Sequence, residues 1–286
     1  LKNSLENLVT RHPPFINFGI GYFFEPEIIV KVSGNKVQVI GNKNAKQVVE
    51  EILNEKTENF QAKTNFSLEP VFNKQEYLLK LNQIKAHIQR GDCYEINFCQ
   101  QFIAHNAGID AIATFHKLNS VSPNPFASLY KLNKKYCIAA SPERFLKKTG
   151  NQLISQPIKG TAKRNAQNCV LDNQNKTALS DSQKERSENV MVVDLVRNDL
   201  SRVCKAGSVT VKELCGIYAF PQVFQMISTI QGELPADIHW ADAIKVCFPM
   251  GSMTGAHKKR VMELIDQYEE IGRGLFSGSI GYITPQ

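Results

Sequence analysis

The strongest constraint on the fold is a succession of β-type segments that no helix separates. Four of them follow one another between residues 126 and 160, namely FASLYK, KYCIAAS, SPERFLKK and NQLISQPIKG. Two more, VTVKEL and QVFQMISTIQGEL, come after a long helical stretch. Strands in direct succession, flanked by helices, favour an α+β fold with mostly antiparallel sheets over a doubly wound parallel sheet.

Helical patterns occupy much of the remaining chain. Residues 73–91 carry an apolar stripe of helical period, with Asn73 as a candidate N-cap and Gly91 as a stop signal. Further helices are predicted at residues 110–119, about 177–203, near 239–247 and over AHKKRVMELIDQYE, whereas the closing segment GLFSGSIGYIT predicts a strand.

The segment DCYEINFCQQF alternates between apolar and polar residues. The alternation places Glu95, Asn97 and Cys99 on one side of a predicted strand and apolar side chains on the other. Such a strand can present its polar side to a cavity.

Composition indicates an ordinary globular protein of 286 residues, with 42% apolar and 21% charged residues. The chain has no run of about 18 apolar residues that could span a membrane, and its first residues lack the layout of a secretion signal. Seven scattered cysteines, an odd number without a CxxC pair, favour reduced thiols and a cytoplasmic location.

The net charge of +7 does not identify a partner by itself. Lysine and arginine are interleaved with acidic residues, and the chain has neither zinc-finger spacing nor an RNA-binding aromatic strand motif. Nucleic acid is therefore not expected as a partner, whereas a small anionic substrate or an incidental surplus of surface charge fits this balance.

Two segments place reactive side chains at strand ends. In AASPERF, Glu143 follows a proline, and either a catalytic carboxylate or a surface ion pair with Arg144 fits this position. In PIKGT, Lys159 precedes Gly160, so that the backbone can approach a ligand closely. A lysine among apolar neighbours can serve as a nucleophile or base, although the motif alone also fits an exposed lysine.

Two glutamates in KERSENVMVVDLVRNDL are candidate metal ligands. Glu185 and Glu188 are three residues apart and share one helix face, where their charges repel unless a cation lies between them. Paired carboxylates suit Mg²⁺, which takes few protein oxygens and retains waters. An acidic surface patch neutralised by Lys184 and Arg186 is the alternative interpretation.

The segment FPMGSMTGAHKK is a glycine-rich loop that opens a helix. Backbone N–H groups at a helix start can bind an anion. Its glycine and lysine spacing is not that of a Walker A loop, so nucleotide binding is disfavoured while carboxylate binding is not.

Taken together and in this order, the segments resemble the chorismate-utilising enzymes, a family that includes the anthranilate, aminodeoxychorismate, isochorismate and salicylate synthases. The matching segments are GDCYEIN, SPERF, PIKGT, ERSENVMVVDLVRNDL, GSV, QVFQMISTIQGEL, FPMGSMTGAHKKR and RGLFSGSIGY. We therefore expect residues 1–286 to form a single chorismate-binding domain, with the catalytic motifs in residues 91–286 and a loosely matching part over about 1–90.

The resemblance implies a two-lobed α/β sandwich with antiparallel sheets facing each other, helices outside and the active site in the cleft between the lobes. Relatives continue for several dozen residues beyond the GYIT segment and carry further metal-binding glutamates there. The sequence is accordingly expected to be a fragment that lacks the C-terminal segment of the family.

Two positions indicate which reaction of the family to expect. A lysine at position 159 resembles the aminodeoxychorismate synthases, in which it implies attack on ring carbon C2 and a covalent intermediate, whereas anthranilate synthases typically carry alanine. At the position of Glu95, isochorismate-type enzymes carry a lysine that activates water, and amine-forming members usually carry glutamine. Glu95 is neither, but its lack of a basic amine argues against water as the nucleophile.

The resemblance also implies a role for each site residue. Glu143 would protonate the C4 hydroxyl of chorismate as a general acid, and Lys159 would add at C2 before ammonia enters at C4. Mg²⁺ on Glu188, with Glu185 close by, would neutralise the ring carboxylate. The expected substrate-binding residues are Gly160, Thr161, Gln225, Thr254, Gly255 and Ala256.

Three positions depart from the usual family pattern. Gln225 stands in place of a histidine, His257 in place of a proline and Phe276 in place of a tyrosine. Glutamine at position 225 can still form hydrogen bonds but cannot shuttle a proton.

No segment with a glycine-flanked cysteine on a strand-to-helix turn, as glutaminases have, is found in the sequence. Ammonia is therefore expected from a separate glutamine amidotransferase subunit, and a lyase domain fused beyond Gln286 stays open. Two alternatives are anthranilate synthase component I, which Lys159 disfavours, and an inactive chorismate-binding or scaffold protein, which Gln225 and the missing C-terminal segment favour.

Overall fold

The computed structural model describes residue 8, residues 11–55 and residues 66–284. Its helices are α1 (Ala45–Asn54), α2 (Lys74–Gln89), α3 (Ala111–Val121), α4 (Cys169–Asp181), α5 (Gln183–Ser201), α6 (Trp240–Cys247), α7 (Gly251–Thr254) and α8 (Lys258–Tyr268), with a 3₁₀ turn at Gly274–Ser277.

The strands are short except in the central part of the chain. They are β1 (Ile28–Ser33), β2 (Lys36–Gly41), β3 (Glu69–Pro70), β4 (Glu95–Ile96), β5 (Phe102–Ile103), β6 (Phe126–Leu132), β7 (Lys135–Ser141), β8 (Arg144–Thr149), β9 (Gln152–Gln156), β10 (Ile158–Lys163), β11 (Thr210–Ala219), β12 (Val223–Glu233) and β13 (Gly255–Ala256).

The largest sheet has five strands and is organised around β12. One edge of β12 pairs with β11, and the other edge pairs with β10 and then β9, with β8 beyond β9. Two-stranded ladders join β1 to β2, β3 to β5, β4 to β13 and β6 to β7. Every strand ladder in the described part of the chain is antiparallel, which confirms the predicted α+β class.

The main core lies between this sheet and two helices. Phe224 and Met226 of β12 form an apolar cluster with Leu179 of α4, and Ile230 of β12 belongs to a second cluster with Val193 of α5. These β12 residues are separated by even numbers of positions, so they face the same side of the strand. Burying each such side chain contributes about 1.5–3 kcal/mol to stability, and the burial determines which sheet face the helices cover.

A smaller core cluster fixes the segment around β4 against α8. Its buried members are Cys93, Val261, Leu264 and Ile265. Ile96 packs against this cluster. Because side chains alternate along an extended segment, packing Ile96 onto α8 turns Glu95 and Asn97 toward the opposite side.

Helix α2 begins and ends where its sequence predicts. The Asn73 side chain accepts hydrogen bonds from the N–H groups of Gln75 and Glu76, and the Glu76 carboxylate accepts one from the Asn73 N–H. This reciprocal capping satisfies donors that a helix start would otherwise leave unpaired. At the other end, Gly91 adopts a positive φ of 81°, which ends the helix.

The single long helix predicted from about Thr177 to Val203 is wrong. The chain forms α4 and α5 in succession, and Ser182 between them leaves the helical region with a ψ of 108°. Its hydroxyl oxygen accepts the N–H of Glu185 at 3.3 Å, so a serine that could have continued the helix instead caps a new one.

Two predicted strands are also corrected. Within the DCYEINFCQQF segment, only the two-residue strands β4 and β5 pair with other strands. Their partners, β13 and β3, are also only two residues long, so no longer strand forms. The strand predicted over GLFSGSIGYIT is absent from the described residues. There Gly274 has a φ of 55°, and the N–H of Phe276 bonds within a 3₁₀ turn to the carbonyl of Arg273 instead of to a neighbouring strand. The loop predicted over FPMGSMTG contains the four-residue α7.

All seven cysteines lie in the described part of the chain, and none of them forms a disulfide. Across the described ranges, no helix is both long enough and apolar enough to cross a membrane.

Candidate active site

Lys159 on β10 meets two side chains of the segment that contains β4. Its ammonium group forms an ion pair with Oε1 of Glu95 and donates a hydrogen bond to Oδ1 of Asn97 at 3.0 Å. The Lys159 and Glu95 side chains are each only 16% exposed. The polar side predicted for the 92–102 segment therefore faces this lysine.

The backbone of β10 passes close to α5 beside this lysine. Gly160 has a φ of 97°, and a Cβ added there would lie 3.3 Å from Oε2 of Glu185 and 3.2 Å from Cβ of Met226. The buried Asn189 of α5 donates from Nδ2 to the carbonyl oxygens of Lys159 at 3.2 Å and Met226 at 3.1 Å. The amide of Asn189 thereby ties β10, β12 and α5 together at the position of the lysine.

Glu143 lies between β7 and β8 and is held by two donors. Its Oε1 accepts a hydrogen bond from the Ser252 hydroxyl at 2.5 Å, and the N–H of Ile158 donates to the same carboxylate. Burial raises the pKa of Glu143 to about 7, although both hydrogen bonds and the charge of Lys159 act to lower it. A carboxyl group with this pKa keeps its proton near neutral pH and can act as a general acid.

A chain of hydrogen bonds connects Lys159 with Glu143. Asn97 accepts from the lysine through Oδ1 and donates through Nδ2 to the carbonyl oxygen of Ser252 at 3.1 Å. The hydroxyl of Ser252 then donates to Glu143. The two residues predicted to be catalytic are thus held in one polar network by two intervening residues.

Glu185 and Glu188 lie on the same face of α5, with a lysine between their carboxylates. Nζ of Lys184 is 3.3 Å from Oε1 of Glu185 and 3.2 Å from Oε1 of Glu188. Lys184 is 73% exposed, whereas the glutamates are 25% and 32% exposed. Among the described residues, no three or more His, Cys, Asp or Glu side chains are arranged to hold a metal ion.

Thr161 and Gln225 face each other across β10 and β12. The Thr161 hydroxyl donates to Oε1 of Gln225 at 2.7 Å. Thr161 lies on the same strand as Lys159 and Gly160, Gln225 lies opposite it on β12, and both side chains offer polar atoms to a ligand.

The three remaining predicted substrate-binding residues are buried supports of the β4 segment. Gly255 and Ala256 pair with β4, and the carbonyl of Thr254 accepts the N–H of Asn97 at 2.9 Å. A Cβ added to Gly255 would lie 2.1 Å from the carbonyl oxygen of Glu95, so only glycine fits there. The observed contacts of all three residues position Glu95 and Asn97.

Asn97, Asn189 and Ser252 were not predicted as site residues. The alternation of the 92–102 segment already placed Asn97 on the side of Glu95. Asn189 precedes the buried Val192 and Val193 by three and four residues, so a polar residue on the apolar face of α5 was a usable signal. No local pattern indicated Ser252.

The burial of Glu143 predicts a pH-dependent stability. Between the ordinary pKa of 4.5 and the folded pKa of about 7, the unfolded chain releases this proton while the folded chain retains it, so stability falls as pH rises. The stabilisation that comes from keeping Glu143 protonated is fully present at low pH and is lost above about pH 7. It contributes up to about 3 kcal/mol to the free energy of unfolding.

Glu143→Gln removes this titration and should therefore gain stability relative to the wild type as pH rises through this range. Urea unfolding of both proteins at several pH values measures the difference, with Glu233→Gln at an exposed carboxylate as the control. A constant difference between wild type and Glu143→Gln from about pH 4 to pH 8 would contradict the assigned burial.

Comparisons with known proteins place this chain among chorismate enzymes. The family model described as chorismate binding enzyme matches residues 16–286. Aminodeoxychorismate synthase component 1 of Klebsiella aerogenes is 41% identical over 212 residues, which are 74% of this chain and 47% of that protein. Anthranilate synthase component 1 3 of Haloarcula marismortui is 38% identical over 202 residues, 71% of this chain and 40% of that protein.

A solved structure agrees with the fold. Anthranilate synthase component I from Streptococcus pneumoniae TIGR4 is 25% identical, with a TM-score of 0.73 over 86% of this chain and 57% of that chain. This likeness confirms the predicted anthranilate synthase-like fold. The chain spans about half the length of the curated relatives it matches.

Proposed function

The chain belongs to the chorismate binding enzymes, and from that premise we propose that it is the component of aminodeoxychorismate synthase that aminates chorismate. In this proposal, chorismate and ammonia are converted to 4-amino-4-deoxychorismate and water, a step toward p-aminobenzoate. The observation that carries the proposal is Lys159, a largely buried lysine in one hydrogen-bond network with Glu143. Relatives of this name, at 37% to 41% identity, support it.

Glu143 is the proposed general acid. The C4 hydroxyl of chorismate is a poor leaving group unless it takes up a proton as its bond breaks. A pKa of about 7 leaves about half of the Glu143 carboxyl groups protonated at neutral pH and most of them protonated at lower pH, and general acid catalysis contributes about 10²–10⁴-fold to a rate. Ser252 and the Ile158 N–H orient the carboxyl group for this transfer.

Lys159 is the proposed nucleophile. Its amine adds at C2, both ring double bonds shift by one position, and the C4 hydroxyl departs as water with the proton of Glu143. Ammonia then bonds to C4 while the bond between C2 and Lys159 breaks. A covalent route of this kind divides one difficult substitution into two easier steps.

The residues present fit a magnesium ion that is bound by only two protein carboxylates. Glu185 and Glu188 offer hard carboxylate oxygens on one helix face, and Mg²⁺ commonly uses only one or two carboxylates together with water and substrate. We propose that these two glutamates hold Mg²⁺, which when bound supplies positive charge for the ring carboxylate. Lys184 occupies the space between the carboxylates and competes with the ion.

This competition predicts tighter metal binding in Lys184→Ala. An exposed ion pair contributes about 0.2–1 kcal/mol, so the Kd for Mg²⁺ should fall by up to about fivefold. Calorimetric titration with magnesium chloride, without substrate, measures the change. Lys176→Ala, which removes an exposed lysine of the neighbouring α4, controls for net charge. Binding that is unchanged or weaker in Lys184→Ala would contradict the assignment.

A separate glutaminase subunit is the proposed source of ammonia. The relatives are named component 1, which supports a second component. The unpaired state of all seven cysteines supports a reducing, cytoplasmic setting for both. On its own, the protein is expected to use ammonium but not glutamine.

Product analysis tests the proposal. Full-length protein is incubated with chorismate and magnesium, with either ammonium or glutamine, and the products are identified by chromatography and mass spectrometry. The proposal requires 4-amino-4-deoxychorismate with ammonium. Anthranilate as the product would show that Lys159 does not determine the position of amination, and absence of any turnover would favour an inactive chorismate-binding protein.

A further inference from the structure

Glu95 carries an unusual combination of contacts for a carboxylate. Its Oε1 is paired with Nζ of Lys159, while its Oε2 is buried and has no hydrogen-bond partner in the described part of the chain. A buried carboxylate oxygen without a hydrogen-bond partner is uncommon in a folded protein and calls for an explanation. Oε1 of Glu95 is in direct contact with Nζ of Lys159, so a proton can pass between these two atoms without an intervening group.

The surrounding structure holds this carboxylate in place. Ile96 packs onto α8, and β4 pairs with Gly255 and Ala256 of β13. The only carboxylate within the described ranges that bonds to Nζ of Lys159 is that of Glu95.

Other charged groups approach the pair from the elements packed around it. The positive charge of Lys159 acts to lower the pKa of Glu143, and Glu185 of α5 lies beside Gly160. On the α8 side, Arg273 donates to the carbonyl of Asn97 and is itself neutralised by Glu269.

We propose that Glu95 is the catalytic base that takes a proton from Lys159 before the lysine attacks and returns it when the lysine departs. The inference rests on the proposed function. The ammonium of Lys159 gives one proton to Oε1 of Glu95, and the free amine forms the bond to C2. The C4 hydroxyl leaves as water with the proton of Glu143.

The second half of the reaction restores the pair. Ammonia forms a bond to C4, both ring double bonds shift back, and the bond between C2 and Lys159 breaks with its electrons returning to the amine. The amine then recovers its proton from Glu95, and Glu143 is reprotonated from the new ammonium group or from solvent. Over one cycle, with Glu143 reprotonated from the new ammonium group, chorismate and ammonia become the amino product and water.

The proposal predicts a characteristic pH dependence of adduct formation. The ion pair and its neutral form contain the same number of protons, so in the wild type the rate is flat below the pKa of about 7 of Glu143. In Glu95→Gln the lysine must lose its proton to solvent. The rate should therefore rise about tenfold per pH unit between about pH 5.5 and pH 7, and at pH 6 it should be lower by about 10²-fold or more.

The experiment measures the covalent adduct by rapid quenching and intact-protein mass spectrometry, with chorismate and magnesium but without ammonia. Glu95→Asp should retain the flat profile at a lower rate because it keeps a carboxylate. Glu233→Gln, at an exposed carboxylate remote in sequence, is the control and should match the wild type. Chorismate binding by equilibrium dialysis separates a lost chemical step from lost affinity.

Two results would overturn the inference, and they are distinguishable. A flat profile in Glu95→Gln, with a rate within about threefold of the wild type, would assign Glu95 a structural role while leaving the lysine route intact. Failure of the wild type to form an adduct at any pH would remove the covalent route itself, and the inference with it.

Discussion

Replacement of Lys159 by glutamine is expected to lower the rate of 4-amino-4-deoxychorismate formation by about 10³-fold or more, with little change in chorismate affinity. The nucleophilic amine is lost, while the amide can still donate a hydrogen bond toward Glu95. Glutamine is preferable to alanine here, because alanine would leave the buried carboxylate of Glu95 without its partner. Steady-state kinetics with ammonium as the nitrogen source measures the effect.

Lys163→Gln is the matched control for this substitution. Lys163 lies on the same strand, β10, but is exposed. Lys163→Gln should keep wild-type kinetics, which would show that the loss of one positive charge on this strand does not by itself lower the rate. If Lys159→Gln retained more than about a tenth of the wild-type rate, Lys159 would not be the nucleophile.

Arg273→Met is expected to lower the free energy of unfolding by about 3–5 kcal/mol, because it leaves the buried carboxylate of Glu269 without its partner. The guanidinium donates to both oxygens of Glu269 and to the carbonyls of Met253 and Asn97. The Arg273 and Glu269 side chains are only 8% and 6% exposed. Chemical denaturation followed by circular dichroism measures the loss.

An exposed pair on a helix provides the comparison for Arg273. Arg197 and Asp194 are 52% and 63% exposed, so Arg197→Met should cost no more than about 1 kcal/mol. Equal losses for the two arginine variants would contradict the burial of the Arg273 pair. The double variant Arg273→Met with Glu269→Gln should recover part of the loss, because it also removes the stranded charge.

Much of the fold could be predicted because its signals are local. The capping residues of α2 are adjacent in sequence to the apolar stripe that they terminate, and β6 to β12 alternate over enough residues to be recognised as strands. The break at Ser182 was missed because the residues around it also suit a continuous helix. The helix breaks at Ser182 because the hydroxyl of this residue caps the start of α5 by accepting the N–H of Glu185.

The short strands could not be predicted for a different reason. Alternation in the 92–102 segment reports which side chains share a side, and Glu95 and Asn97 both contact the ammonium group of Lys159. It does not report where a partner strand ends. The ladder at β4 is two residues long because Gly255 and Ala256 are the residues that pair with it.

In the candidate site, too, residues with a local sequence pattern could be predicted, whereas contacts between residues distant in sequence could not. Lys159, Glu143, Glu185 and Glu188 stand in segments with recognisable patterns, and the structure places them around β10 and α5. Ser252 became visible only through its contact with Glu143, 109 positions away, whereas Asn189 had a local signal but its partner Lys159 lies 30 positions away. Glu95 was weighed only as evidence against water as the nucleophile, because its ion pair with Lys159 joins residues 64 positions apart.

The most direct test of the covalent mechanism is peptide mapping of the protein quenched during reaction with chorismate and magnesium in the absence of ammonia. We expect a peptide containing Lys159 whose mass has increased by that of chorismate less one water, and we expect this peptide to disappear when ammonium is added. Formation of 4-amino-4-deoxychorismate under matched conditions with no adduct on Lys159 at any quench time would contradict the covalent mechanism.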